Sequence, residues 1–239
     1  MLFDPPLVRA TLVQRYKRFL FDALLDDGTP VTGFCPNTGS MRGLTTPGST
    51  IWMSVHDSPT RKYRHMLEMV EADGTLVGIN AAFANRIAEE ALVAGLVPDL
   101  RGYGSLRREQ RYGARSRVDF LLSGSGRPDC YIEVKNVHFM RAPGLAEFPD
   151  TVTTRGARHL EELGDMAEAG HRAVMLYVVQ RQDCDRLRLC SDLDPRYAAA
   201  FRRAAARGVE AHVLRCRVTP QEIAATDLIA MDEAGLPAL

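Results

Sequence analysis

Two carboxylates and one amine lie close together in the middle of the chain: Asp119 in Val118–Leu122, then Glu133 and Lys135 in Cys130–Asn136. Both stretches are rich in β-branched, aromatic and aliphatic residues. The Gly/Ser/Pro segment 123–129 between them reads as a turn. Alternate side chains of a strand share a face, so Glu133 and Lys135 point one way and Ile132 and Val134 the other. If the two strands pair as a hairpin, Asp119 comes beside Glu133 and Lys135. Oxygen ligands of this kind suit Mg²⁺ or Mn²⁺, which keep several waters and need few protein ligands. Such a cation polarises a phosphoryl oxygen and acidifies an attacking water, and a neighbouring lysine orients that water or offsets charge in the transition state. An ion pair on a solvated strand face is the alternative reading of the same residues.

Local charge bears on that choice. Between Arg101 and Arg117 stand the arginines 101, 107, 108, 111, 115 and 117, with Glu109 the one acid. Tyr103 and Tyr112 are interleaved. Neutralising a phosphate backbone with arginine supplies much of nucleic-acid affinity, and aromatic rings stack on unpaired bases. A solvated basic loop would show the same excess. The whole chain is neutral, with 30 basic and 30 acidic residues among 239, so a nucleic-acid partner has to be argued from such local patches.

The elements that must position these residues fall into two regions. Residues 1–80 are β-rich: five or so short strands, punctuated by Asp26-Asp27-Gly28, Pro36–Ser40, Thr45–Ser49 and Asp73-Gly74, suggest a small barrel or sandwich. From residue 81 the pattern becomes α/β. Ala81–Leu96 reads as a helix with Asn80 as N-cap, Thr154–Glu168 as a second and Pro195–Arg207 as a third. Ala173–Val179 is a continuous apolar run, as expected of a central strand covered on both faces. Pro143–Pro149 reads as a loop, and the tail from Thr219 as a short helix with an ordered or frayed end. The expected division is therefore 1–80 and 81–239, joined without a flexible linker.

Other function classes find little support. No apolar run approaches the ~20 residues of a membrane span, and Met1–Pro6 lacks the pattern of a secretory signal. Cys35, Cys130, Cys184, Cys190 and Cys216 form no C-x-x-C pair, which favours packed, reduced thiols in a cytoplasmic protein. There is no glycine-rich phosphate loop, nucleophile elbow or zinc motif. A homo-oligomer is compatible with the sequence.

Longer motifs carry a resemblance. Phe34–Met41, Asn85–Leu92, Arg115–Asp119, Cys130–Val137, Phe148–Asp150 with Thr153–Gly156, and Gly170–Val174 together resemble the sugar fermentation stimulation protein A family of bacteria and archaea. The resemblance implies an α/β (α+β overall) protein: an N-terminal OB-like β-barrel, then a domain similar to the PD-(D/E)xK nucleases with a mixed central sheet. It also implies DNA binding with little sequence preference and a regulatory role in sugar (maltose) metabolism, with a Mg²⁺-dependent nuclease as the alternative. The nuclease-like signature falls on Asp119, Glu133 and Lys135, with Val118 where the signature has proline. Nuclease relatives often add an acid from the first helix. That acid is Glu89 or Glu90 here, and Glu90, three residues after Ile87, is the expected third metal ligand. Arg155 and His159, four apart on the second helix, share a face and can reach a phosphate, or form a surface pair. With Arg107, Arg108, Arg111, Arg115 and Arg117, and with Arg42, Arg61, Lys62 and Arg64 on the barrel, they make up the expected nucleic-acid contacts. The single tryptophan, Trp52, is read as a packing residue.

Overall fold

Alternating burial shapes the first third of the chain into a barrel. The computed structural model describes residues 1–57, 60–113 and 116–232. Strand β1 (Val8–Tyr16) turns Ala10 and Leu12 inward, and β2 (Leu20–Leu25) turns in Phe21 and Ala23. With β3 (Pro30–Phe34), β4 (Thr50–Val55) and β5 (His65–Ala72) they run in the order β3-β2-β1-β4-β5, and a parallel β3–β5 pairing closes the ring. Closure needs a glycine: a Cβ at Gly33 would run into the Phe21 ring and stand 2.8 Å from the His65 carbonyl oxygen. The short β6 (Thr75–Gly78) extends β5 and leads out of the barrel.

Helix α1 (Phe83–Val93) follows, with Ala82 rather than Asn80 at its N-cap; Asn80 instead accepts a bond from the Ala82 N–H at 3.1 Å. Strands β7 (Ser105–Tyr112), β8 (Ser116–Ser123) and β9 (Cys130–Val137) form an antiparallel meander. Next come β10 (Phe139–Ala142), β11 (Gly144–Phe148), α2 (Thr154–Glu168), β12 (Arg172–Val179), β13 (Cys184–Leu189), α3 (Pro195–Ala206), β14 (Glu210–Val218), β15 (Ile223–Leu228) and β16 (Ala230–Met231). The main sheet runs β15-β14-β12-β9-β8-β7. It is mixed: β9, β12 and β14 are parallel neighbours, while its outer strands are antiparallel. The fold is thus a closed five-strand barrel of OB type followed by an α/β domain with a mixed central sheet.

Two expectations fail here. Pro143–Pro149 is not a loop, because β11 pairs with β13 in a second sheet, β10-β11-β13-β16. The tail is not helical, because β15 pairs antiparallel with β14. Both strands are short; β11 finds its partner β13 only beyond α2 and β12, so local pattern carries little trace of it, whereas β15 is the hairpin neighbour of β14 across a turn at Thr219 and Glu222. The five cysteines are all buried and free.

The main sheet separates two apolar layers. One packs β8, β9 and β12 against α2 and α3 through Val118, Leu160, Leu163, Tyr177 and Phe201; the other packs the opposite face against α1 through Phe120, Ile132, Ala84 and Ile87. Fully burying Leu160 or Leu163 contributes about 1.5–3 kcal/mol each. The caps fix where α2 sits. Thr153 Oγ1 accepts from the Gly156 N–H at 3.1 Å, and Asp194 takes the Thr153 N–H at 2.7 Å while capping α3 through the Tyr197 N–H at 2.9 Å.

A polar seam joins barrel and α/β domain. Gln180 receives the Gly78 N–H on its carbonyl at 2.8 Å, and its side-chain amide donates to the Asn80 carbonyl at 3.1 Å and to Asn136 Oδ1 at 2.5 Å. Further along the same seam Asp150 accepts from Ser40 Oγ at 2.9 Å and the Met41 N–H at 3.0 Å, with His138 at 3.4 Å. Burial opposes the charge on Asp150, yet His138, Ser40 and Met41 together hold its carboxyl well below the usual range. A carboxyl depressed by folding contributes stability above its unfolded value, near ~4, and loses that contribution as pH falls towards the folded one. Asp150→Asn is expected to cost about 1–3 kcal/mol at neutral pH and to flatten the acid-side loss of stability. Urea unfolding of both proteins across the acidic range checks this; curves that stay parallel at every pH would refute it.

Candidate metal and phosphate site

The site arises where the ladder between β7, β8 and β9 breaks. Residues two apart on a strand normally share a face. Here Val118 enters the α2/α3 layer and Phe120 the α1 layer, so β8 rolls over at Asp119. Pairing of β8 with β9 runs from Leu122↔Cys130 to Phe120↔Ile132 and stops there. Across the other edge, Arg108↔Phe120 and Gln110↔Val118 are paired with no pair between them, and Glu109 takes a left-handed φ of 52°. The Asp119 carboxylate occupies the gap. Its Oδ2 accepts the Val134 N–H at 2.7 Å and its Oδ1 accepts from Asn85 Nδ2 at 2.8 Å.

Glu133 and Lys135 project from β9 towards α2. Lys135 Nζ lies 2.6 Å from Glu133 Oε1, and His159 Nδ1 contacts the same oxygen. His159 Nε2 accepts from Arg155 Nε at 3.2 Å, which leaves the Nδ1 proton for Glu133. The other Glu133 oxygen, Oε2, is buried without a hydrogen-bond partner. The Tyr112 hydroxyl is buried and unpartnered as well, and it senses both Glu133 and Asp119.

The two carboxyls are driven apart. Burial, and then the Glu133 charge, raise Asp119 above its ordinary value. Burial pushes Glu133 the same way, but the hydrogen bond from His159 and the Lys135 ammonium outweigh it and hold Glu133 below its ordinary value. Two acids in one pocket with opposed shifts are a pattern of functional sites.

The donor set tests what cation would fit. Among the described residues no group of three or more His, Cys, Asp or Glu side chains is arranged for a metal. Two carboxylates, one with a free buried oxygen, fit a hard cation that keeps waters, such as Mg²⁺, Mn²⁺ or Ca²⁺, and not a tetrahedral zinc.

Asp119, Glu133 and Lys135 are therefore brought together. Glu90 is not with them: its carboxylate takes the N-terminal amine of Met1 at 2.7 Å and Arg86 at 3.2 Å. The buried stripe of α1 is Ala84, Ile87, Ala88 and Ala91. Asn85 and Glu89, four apart, lie along its side facing β7 and β8, where Glu89 pairs with Arg108, and Glu90 lies on the other side. The residue that reaches Asp119 is thus the amide Asn85. The one signal for it was its i,i−4 relation to Glu89 next to buried alanines. His159 is also relocated, being 2% exposed and turned into the pocket, so it is not a surface contact for phosphate.

The basic residues scatter. Arg111 and Arg117 are exposed cross-strand neighbours, and Arg107 makes a 3.4 Å contact with Ser123 Oγ. Arg108 is tied to Glu89, and Arg64 to Asp57. Arg155 is exposed at the lip of the pocket through its His159 contact, and Arg42, Arg61 and Lys62 are exposed on the barrel. Arg115 lies outside the described residues. Trp52 is partly buried against the α1-side layer.

His159→Ala is expected to cost about 1–3 kcal/mol, because it strips a buried carboxylate of a partner. Exposed Arg155→Ala should change stability by less than ~0.5 kcal/mol. Equal losses in urea titrations of the two variants would contradict this account of the pocket.

Comparison with known proteins supplies further findings. The family model for the sugar fermentation stimulation protein RE domain matches residues 82–222, and that for the SfsA N-terminal OB domain matches residues 13–79. A sugar fermentation stimulation protein homolog of Agrobacterium fabrum is 69% identical over 233 residues, covering 98% of each chain. One from Brucella ovis is 58% identical over 233 residues with the same coverage. Pyrococcus furiosus SfsA, solved in complex with Ca²⁺, aligns with a TM-score of 0.87 at 24% identity over 98% of each chain, a likeness of fold. No described helix is long and apolar enough to cross a membrane.

Proposed function

We propose that this chain, which belongs to the sugar fermentation stimulation protein family, binds DNA with little sequence preference and seats a phosphodiester beside a divalent cation held by Asp119 and Glu133. Residues 1–80 act as the barrel unit and 81–239 as the nuclease-like unit, and the binding serves regulation of sugar (maltose) use. One observation carries the reading: the buried, unpartnered Oε2 of Glu133, next to a second carboxylate. A buried carboxylate oxygen without a partner is costly, and a hard cation satisfies it. The Ca²⁺ complex of the Pyrococcus furiosus protein agrees with such a cation. Exposed Arg107, Arg111 and Arg117 on β7 and β8 adjoin Asp119 along the strands and suit backbone phosphates.

A second reading, phosphodiester hydrolysis, is favoured by Lys135. Its ammonium stands on the Glu133 carboxylate at 2.6 Å and is 14% exposed, so it is placed to hold a water or an anionic oxygen at the pocket mouth. A bound cation would polarise the phosphoryl oxygen and lower the pKa of a water. Within the chain, Glu133 keeps its charge through Lys135 and His159, and Asn85 and the Val134 N–H orient Asp119.

Binding and cleavage are read together with labelled single- and double-stranded DNA and RNA, in Mg²⁺, Mn²⁺, Ca²⁺ or chelator. The cation-dependent part of binding should fall about 10–100-fold in Glu133→Ala. It should also weaken on acidification earlier than for an ordinary carboxylate, because Asp119 is raised and must ionise to hold the cation. Cleavage lost in both Glu133→Ala and Lys135→Ala would establish hydrolysis. Binding indifferent to cation and to both substitutions, with no cleavage, would sink the site.

The phosphate contacts have their own test. Replacing Arg107, Arg111 and Arg117 together by alanine should weaken duplex binding and flatten its dependence on log[salt] by roughly one unit of slope per lost contact. An unchanged slope would remove these arginines from the interface.

A further inference from the structure

The barrel and the α/β domain leave a cleft of about 350 Å³ where they meet. Arg9, Thr50, Trp52 and Glu71 line it from the barrel, and Gln182 and the turn at 218–220 line it from the α/β domain. Trp52 is the only tryptophan of the chain. It is half-buried, packing in part on the α1-side layer and lining the cleft with the remainder. Strand register sets the polar groups around it. Arg9 is paired with Trp52 across β1 and β4, and Ile51 with Val70 across β4 and β5, so Thr50 comes opposite Glu71. Arg9 and Glu71 thus stand on the two strands that flank β4, about 10 Å apart at the backbone by the usual strand spacing. Among the described residues, Thr50, Glu71 and Gln182 make no side-chain hydrogen bond or ion pair, and Arg9 commits only Nη1, to Asp26 at 3.3 Å. The Thr75 hydroxyl, also at the cleft, is buried without a partner.

Uncommitted polar side chains around one indole narrow the occupant. The cleft holds one cation and one anion. A phosphate or nucleotide gains Arg9 but meets Glu71, and a cation gains Glu71 but meets Arg9. An apolar ligand covers Trp52 and desolvates both charges. An amino acid carries both charges, but its amine and carboxylate share one carbon, whereas the strand bearing Trp52 runs between Arg9 and Glu71. A neutral sugar ring fits every part. Its C–H face is apolar and lies on an indole, while the hydroxyls at its rim donate to Glu71 and accept from Arg9 and Gln182 without bringing a charge. The volume is at the small end of ligand pockets, which recur at domain junctions, and suits one or two pyranose rings. We propose that the junction of barrel and α/β domain binds a neutral mono- or disaccharide, stacked on Trp52 and held at its hydroxyls by Arg9, Glu71 and Gln182. The site is separate from the Asp119–Glu133 pocket and needs neither cation nor nucleic acid.

A single tryptophan makes the test direct, because its fluorescence reports on this cleft alone. The full-length protein is titrated with glucose, galactose, maltose and lactose, and with inorganic phosphate, AMP and leucine as charged and zwitterionic controls. Isothermal calorimetry repeats each titration. At least one neutral sugar is expected to give a saturable change below ~10 mM, with no response to the controls. Glu71 and Gln182 are exposed, so Glu71→Ala/Gln182→Ala should stay folded, which circular dichroism and urea unfolding verify. Its sugar affinity is expected to fall about tenfold or more, since bonds to a charged group are lost. By calorimetry Trp52→Phe, which keeps a smaller ring, should lose less affinity than Trp52→Leu. No response to any of these sugars up to ~10 mM overturns the proposal, and so does unchanged affinity in the folded Glu71→Ala/Gln182→Ala variant. Saturation by AMP, phosphate or leucine with none by sugar overturns it as well, by assigning the cleft to a charged ligand.

Discussion

A carboxylate has been placed where water cannot reach it, and it must nevertheless stay charged. Glu133 is 3% exposed on a strand whose other face is the apolar layer under α1. Lys135 comes from the same strand and cannot miss it. His159 arrives from α2, so the helix must sit at one height and one rotation. Asp194 and Thr153 set that height through the caps, and Leu160 and Leu163 set the rotation by filling the layer beneath. Much of the α/β domain can thus be understood as the support of one charged group. Among the described residues, Oε2 is the one Glu133 oxygen that this support leaves without a hydrogen-bond partner.

Asp119 shows the opposite arrangement. It sits where β8 rolls from one layer to the other, and the backbone groups freed by the broken ladder need partners. Its carboxylate supplies one to Val134, and Asn85 of α1 completes its orientation. Both acids therefore serve the fold as well as the pocket. Their titration is pushed apart because Glu133 has the Lys135 ammonium and the His159 N–H beside it, whereas Asp119 has neutral donors and the Glu133 charge.

The barrel is fastened to this domain by polar contacts as well as by the apolar ones that Met69, Trp52 and Leu76 make with the α1-side layer. Gln180 and Asn80 connect to the buried Glu68, which burial raises to about 7 against the bonds from Ser54 and Asn80. Asp150 holds the Ser40–Met41 loop, and Asp73 meets the buried Arg181 at 3.0 Å. Directional bonds of this kind fix the orientation of two domains more sharply than a greasy contact of equal area would. The junction cleft at Trp52 and the Asp119–Glu133 pocket are thereby carried in a set relation.

Local chemistry determined much of this protein from its sequence. Alternation along Ile132–Lys135 put Glu133 and Lys135 on one face, the run Ala173–Val179 marked a doubly covered strand, and α2 and α3 were legible as the helical stretches Thr154–Glu168 and Pro195–Arg207. Only the tertiary structure decided what lies across a gap. Helical spacing gave Arg155 and His159 a common side but not that His159 turns inward, because that depends on how far α2 lies from β9. It ranked Glu90 by its distance from Ile87, whereas the choice among α1 side chains was made by Asp119 and Arg108 on one flank and Met1 on the other. The sheet of β10, β11, β13 and β16 was invisible for a related reason: β10 and β11 are a local hairpin, but their partners β13 and β16 lie far along the chain. Periodicity reports the face a residue occupies, and packing alone reports which group waits opposite it.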